Sequence, residues 1–143
     1  MFIGEYQHNL DDKGRVALPA KFRPMLKDGA VVTRGVDKCL TVYPKKDWLK
    51  EAEKISALPK TKADARAFSR LTLGGAMALD LDAQGRVVLP EYLRDYATLT
   101  KPVVVVGMYD RFEIWSENLW RKFKQQAETS SVAIAEKLVD LDV

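Results

Sequence analysis

An internal repeat limits this 143-residue chain to folds built from two similar units. Residues 10–19 read LDDKGRVALP and residues 81–90 read LDAQGRVVLP, an offset of 71 positions. After a one-residue slip the match resumes, with LTVY at 40–43 aligned to FEIW at 112–115 and Trp48 aligned to Trp120. An ordered match of this length with one insertion indicates a tandem duplication.

Each copy predicts the same order of short elements. An opening strand (2–9 and 76–81) leads to an Asp-x-x-Gly turn, whose glycine supplies the positive φ of a tight turn. A short strand (15–18 and 86–89) follows, and then a proline where a short helix is expected to begin. Two further strands and an amphipathic helix complete each copy. The second of these helices has Ser116 as its expected N-cap.

A single copy of this size buries too little apolar surface to offset the entropy of ordering it. We therefore predict an α+β fold in which both halves share one interlocked β core, with the helices outside it. The expected divisions are a first unit at 1–58, a linker helix at 59–75, a second unit at 76–128 and a tail helix at 129–143. The tail helix is expected to pack on the body or on a neighbouring subunit.

Composition excludes several classes of protein. No apolar stretch approaches the roughly 20 residues that cross a bilayer, and the N-terminus lacks the pattern of a secretory signal. Cys39 is the only cysteine and His8 the only histidine, so the chain has no internal disulfide and too few ligands for zinc. We expect a cytoplasmic protein with no cofactor, no metal and no enzymatic activity. A metal-dependent nuclease using Asp11, Asp12 and Asp82 is the enzymatic alternative.

Positive charge is concentrated in the first half. Residues 1–70 hold 15 Lys and Arg against 9 Asp and Glu, whereas residues 71–143 hold 8 against 11. Both copies keep Asp-x-x-x-Arg, ending in Arg15 and Arg86. Arginine suits phosphates and the guanine edge in the major groove, which a two-stranded ribbon can enter. Simple surface pairing of Asp with Arg explains the spacing equally well, so both interpretations stay open from the residues alone.

The chain resembles the MraZ family in its first nineteen residues, in LGGA at 73–76, in DAQGR at 82–86 and in FEIW at 112–115. The resemblance implies two SpoVT/AbrB-like swapped-hairpin modules that form a pseudo-dimer within one chain. It also implies a homo-oligomeric ring of about eight or more subunits that binds spaced direct repeats in double-stranded promoter DNA. The expected role is a transcriptional regulator, acting as a repressor, of the division and cell-wall gene cluster, associated with the nucleoid and without a small-molecule ligand.

The same resemblance assigns roles to particular residues. Arg15 and Arg86 are the principal expected DNA contacts. The residues expected to shape their loops are Asp11, Gly14, Asp82 and Gly85. The expected auxiliary contacts are Lys13, Lys21, Arg23 and Arg94. Lys13 and Lys21 align with Gln84 and Tyr92, so the first module is expected to supply more of the electrostatic affinity. The functional alternative is an AbrB-like interaction or scaffold module without sequence-specific DNA binding.

Overall fold

The computed structural model describes residues 1–143 and shows the same order of strands in both copies. The first copy contains β1 (Glu5–Asn9), β2 (Arg15–Ala17), a 3-10 turn (Arg23–Leu26), β3 (Ala30–Arg34), β4 (Leu40–Pro44) and α1 (Lys45–Ser56). After the linker helix α2 (Ala63–Thr72), the second copy contains β5 (Met77–Leu79), β6 (Arg86–Val88), α3 (Glu91–Tyr96), β7 (Pro102–Gly107), β8 (Phe112–Ser116) and α4 (Glu117–Thr129). The tail forms α5 (Ser131–Lys137) and a 3-10 turn (Val139–Leu141).

The two copies exchange strands. A six-stranded antiparallel sheet has the order β1-β7-β8-β4-β3-β5, and β2 pairs with β6 in a separate two-stranded ribbon. Each edge strand belongs to one copy and pairs with a strand of the other: β1 with β7, and β5 with β3. The β4–β8 pair joins the two hairpins at the centre. This pattern confirms the interlocked, pseudo-dimeric β core and relates the two copies by an approximate twofold axis.

The main core of 19 buried residues draws on both copies. An aromatic cluster lies within it, in which the Phe2 ring is 4.9 Å from that of Phe22 and 5.2 Å from that of Phe112. The ribbon contributes Val16 and Val87, which are 0% and 1% exposed. Neither copy can therefore unfold without opening the core of the other.

The short helix expected after each proline forms only in the second copy. Pro90 is the N-cap of α3, whereas residues 20–22 of the first copy form a turn and the helical residues start later, at Arg23. Pro24 explains the difference, because it has no N–H to donate to Ala20 in an α-helix begun at Pro19.

The longer helices follow the sequence prediction with local differences. Ser116 caps α4 by accepting a hydrogen bond from the Leu119 N–H at 3.1 Å, as expected. Trp120 packs against Trp115, with ring centroids 5.4 Å apart and the ring planes tilted by 60°. In α1 the predicted apolar face is only partly used: Ile55 is buried, but Leu49 is 60% exposed.

The tail is helical as predicted, but its apolar side chains do not pack on the β core. Val132 and Val139 are 70% and 63% exposed, so the expectation that the tail covers the body of the same chain is wrong. The remaining expectation is that these apolar side chains pack against a neighbouring subunit. The chain contains no helix that is both long enough and apolar enough to span a bilayer.

Candidate nucleic-acid interface

The ribbon formed by β2 and β6 has one face in the core and one face turned outward. Its register places Arg15 opposite Val88 and Ala17 opposite Arg86, with the buried Val16–Val87 pair between them. Because side chains alternate along a strand, the outward positions share one face. The outer face of the ribbon therefore consists of Arg15, Ala17, Arg86 and Val88.

The loop before β2 is built around the carboxylate of Asp11. One of its oxygens, Oδ1, accepts hydrogen bonds from the backbone N–H groups of Lys13 and Arg15, both at 2.9 Å. The other oxygen, Oδ2, accepts from Arg15 Nε at 2.7 Å. Gly14 closes the turn at φ +78°, where a side chain is disfavoured. The chain thus turns back so that the Asp11 carboxylate binds the Nε side of the Arg15 guanidinium.

The second copy repeats this geometry. Asp82 Oδ1 accepts from the N–H groups of Gln84 and Arg86 at 2.9 and 2.8 Å, and its Oδ2 accepts from Arg86 Nε at 2.8 Å. The backbone N–H of Arg15 or Arg86, followed by the guanidinium contact, lowers the pKa of each aspartate. Both carboxylates are therefore ionised at neutral pH and hold their arginines in the same way.

These ion pairs orient the arginines more than they stabilise the fold. Ion pairs between side chains this accessible to solvent contribute little to stability, because water screens the attraction. Each pair uses Nε only, and the structure shows no protein partner for the terminal nitrogens of either Arg15 or Arg86. The surface pairing that the sequence allowed is present, and it leaves both guanidinium forks available to a ligand.

Arg23 and Arg94 brace the loops of the opposite copy. Arg23 Nε donates to the Leu18 carbonyl at 3.0 Å, and its side chain covers Gly85 so closely that a Cβ there would lie 2.6 Å from Arg23 Cδ. Arg94 makes the equivalent bond to the Leu89 carbonyl and covers Gly14. The structure thus gives both residues a positioning role that their charge alone did not indicate; direct phosphate contact by them stays a prediction.

The two loop regions differ in charge. Lys13 and Lys21 are exposed, and neither ammonium group makes a hydrogen bond or an ion pair with the protein. At the position that matches Lys21, the Tyr92 hydroxyl donates to the Gly75 carbonyl at 2.9 Å, and Arg34 lies 5.6 Å from the Tyr92 ring. The free positive charge next to the ribbon therefore belongs mainly to the first copy.

The residues considered for enzymatic chemistry lie in structural environments. Asp11 and Asp82 are each committed to an arginine. Cys39 packs against Val104 and Trp115, and burial raises its pKa to about 12, so it is a thiol rather than a thiolate. Partial burial and the charge of Arg23 lower the pKa of His8, which is on β1. No group of three or more His, Cys, Asp or Glu side chains is placed to hold a metal ion.

Two copies that exchange strands and meet in a paired ribbon define a protein with tandem, interlocked β modules. The family profile described as "MraZ protein, putative antitoxin-like" matches this chain twice, at residues 1–71 and 72–142. Similar proteins include three that carry the name transcriptional regulator MraZ. The protein of Natranaerobius thermophilus is 55% identical over 143 residues, covering 100% of both chains. That of Desulforamulus reducens is 50% identical over 141 residues, covering 99% of both, and that of Heliobacterium modesticaldum is 48% identical over 143 residues, covering 100% of both.

The chain therefore belongs to the MraZ family. The names of these relatives describe regulators of transcription, not enzymes. Ala17 and Val88, which share the outer face of the ribbon with the two arginines, were not among the site residues predicted from the sequence. The alternation of β6 was the available signal, because Val87 and Leu89 are apolar residues of the core face and Val88 is the residue between them.

Proposed function

We propose that the chain is a DNA-binding transcriptional regulator whose β2–β6 ribbon enters the major groove. The observation that carries this proposal is the pair of outward guanidinium forks of Arg15 and Arg86, each held at Nε by an aspartate. The major groove admits a two-stranded ribbon, and the O6 and N7 atoms of guanine accept a bidentate arginine. Membership of a family whose named members regulate transcription supports the same function.

The spacing of the two arginines suits bases that lie about two base pairs apart. In the ribbon register they are diagonal neighbours across the strands, which separates such residues by roughly 7–8 Å. That separation corresponds to about two base-pair steps of roughly 3.4 Å each. Lys13 and Lys21, exposed beside the first loop, are placed to contact the phosphates that border the groove.

Assembly supplies the affinity that one subunit lacks. A net charge of +3 is small for a DNA-binding protein, so a single ribbon is expected to bind weakly. A homo-oligomeric ring of about eight or more subunits places several ribbons near one duplex and raises avidity by ~10²–10⁴. The proposed target is a set of spaced direct repeats in the promoter of the division and cell-wall gene cluster, repressed by a nucleoid-associated ring.

Exposed apolar side chains support self-association. Val36, Phe68 and Leu71 border one surface hollow and are 82%, 41% and 51% exposed. At the opposite end of the sheet, Ile3 and Tyr109 are 58% and 71% exposed. Two unlike patches at opposite ends suit a head-to-tail contact between copies, and such contacts close into rings when the rotation between subunits allows it.

The direct test of the function is a binding titration by fluorescence anisotropy. Duplexes carrying one, two or three copies of the repeat from the promoter are titrated with wild-type protein, and a scrambled duplex serves as the control. We expect affinity to rise steeply with repeat number. About four phosphate contacts, from two engaged subunits, predict a loss of roughly 10²-fold between 50 and 200 mM salt. Equal or absent binding to all duplexes contradicts the function and favours the scaffold alternative.

The apolar patch on α2 gives a separate prediction about assembly. The double variant Phe68→Ser/Leu71→Ser is expected to shift the protein from a ring to monomers, because it removes the apolar part of one side of the proposed contact. Native mass spectrometry measures the change. Leu49→Ser, which alters a leucine on α1 that is 60% exposed, is the matched control. An unchanged mass in the double variant places the contact elsewhere.

A further inference from the structure

We propose that Val88 contacts the methyl group of a thymine in the major groove and thereby gives the ribbon a direction on DNA. The inference rests on the proposed DNA-binding function and adds a specificity-determining residue to it. A valine does not by its residue type alone indicate a role in DNA recognition. The position of Val88 on the outer face of the ribbon does.

Val88 is an apolar side chain placed where the ligand is expected. It is 57% exposed, whereas Val87, the next residue along β6, is 1% exposed and lies in the core. The register places Val88 directly opposite Arg15 on the outer face of the ribbon. Residues opposite each other in an antiparallel pair have Cβ atoms about 4.5–5.5 Å apart. When Arg15 contacts one base, the Val88 isopropyl group can therefore reach the adjacent base.

The chemistry of the groove identifies the group that a valine can recognise. Each base pair presents donors and acceptors to the major groove, and thymine alone also presents an apolar methyl group at C5. Valine has no polar atom in its side chain with which to read the other edges. Contact with the methyl removes apolar surface of both partners from water. The expected preference at this position is thymine.

The residue related to Val88 by the pseudo-twofold axis is Ala17. This difference makes the outer, DNA-facing surface of the ribbon asymmetric. Arg15 and Arg86 exchange under that axis, so on their own they bind a site equally well in either orientation. Ala17 is half-buried and one methyl group long, so it reaches less far from the ribbon. Together with the lysines of the first copy, Val88 fixes one orientation, as direct repeats require.

The experiment compares thymine with uracil, which lacks only the methyl group. Wild-type protein selects duplexes from a random 25-base-pair pool, and the enriched duplex is resynthesised with each thymine in turn replaced by deoxyuridine. One replacement is expected to weaken wild-type binding about fourfold, the effect of one buried carbon group. Val88→Ala is expected to bind the thymine and uracil forms of that duplex equally. Ala17→Val is expected to gain sensitivity at the position related by the pseudo-twofold axis.

The outcomes separate this inference from the function on which it rests. If wild-type protein binds every uracil duplex as tightly as the parent while Arg15→Ala loses affinity, the Val88 contact is overturned and the DNA-binding function stands. If selection enriches no sequence, both are overturned. Because Val88 is mostly exposed, Val88→Ala is expected to keep the thermal midpoint of the wild type, which separates a lost contact from a lost fold.

Discussion

The double variant Arg15→Ala/Arg86→Ala is expected to bind the repeat-bearing promoter duplex about 10²- to 10⁴-fold more weakly than the wild type. An arginine that contacts a base edge contributes about 1–3 kcal/mol, and the variant removes two such contacts from each ribbon. Both side chains are oriented before binding, because Asp11 and Asp82 hold their Nε atoms at 2.7 and 2.8 Å. Little side-chain entropy is then lost on binding, so the full contact energy is expected to appear in the affinity.

The single variants and one control make this result specific. Arg15→Ala is expected to cost more than Arg86→Ala, since in the proposed complex Lys13 and Lys21 hold the first loop on phosphate. Arg15→Lys is expected to restore only part of the affinity, because lysine has no Nε–H for Asp11 and cannot present a fork. Arg121→Ala is the matched control for each single variant: this α4 arginine is 73% exposed in its side chain and lies on another element, and its loss removes one positive charge, as Arg15→Ala does. Equal effects of Arg121→Ala and Arg15→Ala would show that charge alone binds DNA.

The repeat and the loop motif made most of the fold predictable. The offset copies fixed the order of strands, and the small size of each copy required a shared core. The helix difference after Pro19 and Pro90 was not predicted, because the two prolines align and the difference comes from Pro24, which aligns with Asp95 in the second copy. The exposure of the tail was not predicted either. Periodicity identifies an apolar face of a helix, but it does not say whether the same chain or another chain covers that face.

The candidate site shows the same limit at the level of single side chains. Sequence grouped Arg23 and Arg94 with the lysines because all are basic and near the loops. Their hydrogen bonds to the Leu18 and Leu89 carbonyls are local, but their packing against Gly85 and Gly14 depends on the exchange of loops between copies, which joins residues more than sixty positions apart. Charge can be read from residue type, whereas a long-range contact requires the topology. The aspartate–arginine pairs were predictable because both partners lie within one turn.

Gly107→Ala is expected to lower the free energy of unfolding by about 3–5 kcal/mol, comparable to the loss of a buried phenylalanine. Gly107 ends β7, and its N–H donates to the Gly4 carbonyl at 2.8 Å. A Cβ on Gly107 would lie 2.5 Å from both Ile3 Cα and Phe2 C, which are backbone atoms that cannot rotate away. The N-terminal segment must then move, and with it Phe2, which is 2% exposed within the aromatic cluster of the core.

Thermal unfolding followed by circular dichroism, at one fixed protein concentration, measures this effect as a fall in Tm of roughly 10–20 °C. Gly29→Ala is the matched control, because Gly29 has φ +111° but a Cβ there would lie no closer than 3.8 Å to Lys45. It therefore isolates backbone strain from collision. If the collision acts by displacing Phe2, the double variant Phe2→Ala/Gly107→Ala costs clearly less than the sum of its two single variants. Additive costs, or a Gly107→Ala effect no larger than that of Gly29→Ala, would contradict this prediction. Either result would show that the close contact of Gly107 with the N-terminal segment does not hold Phe2 in the core.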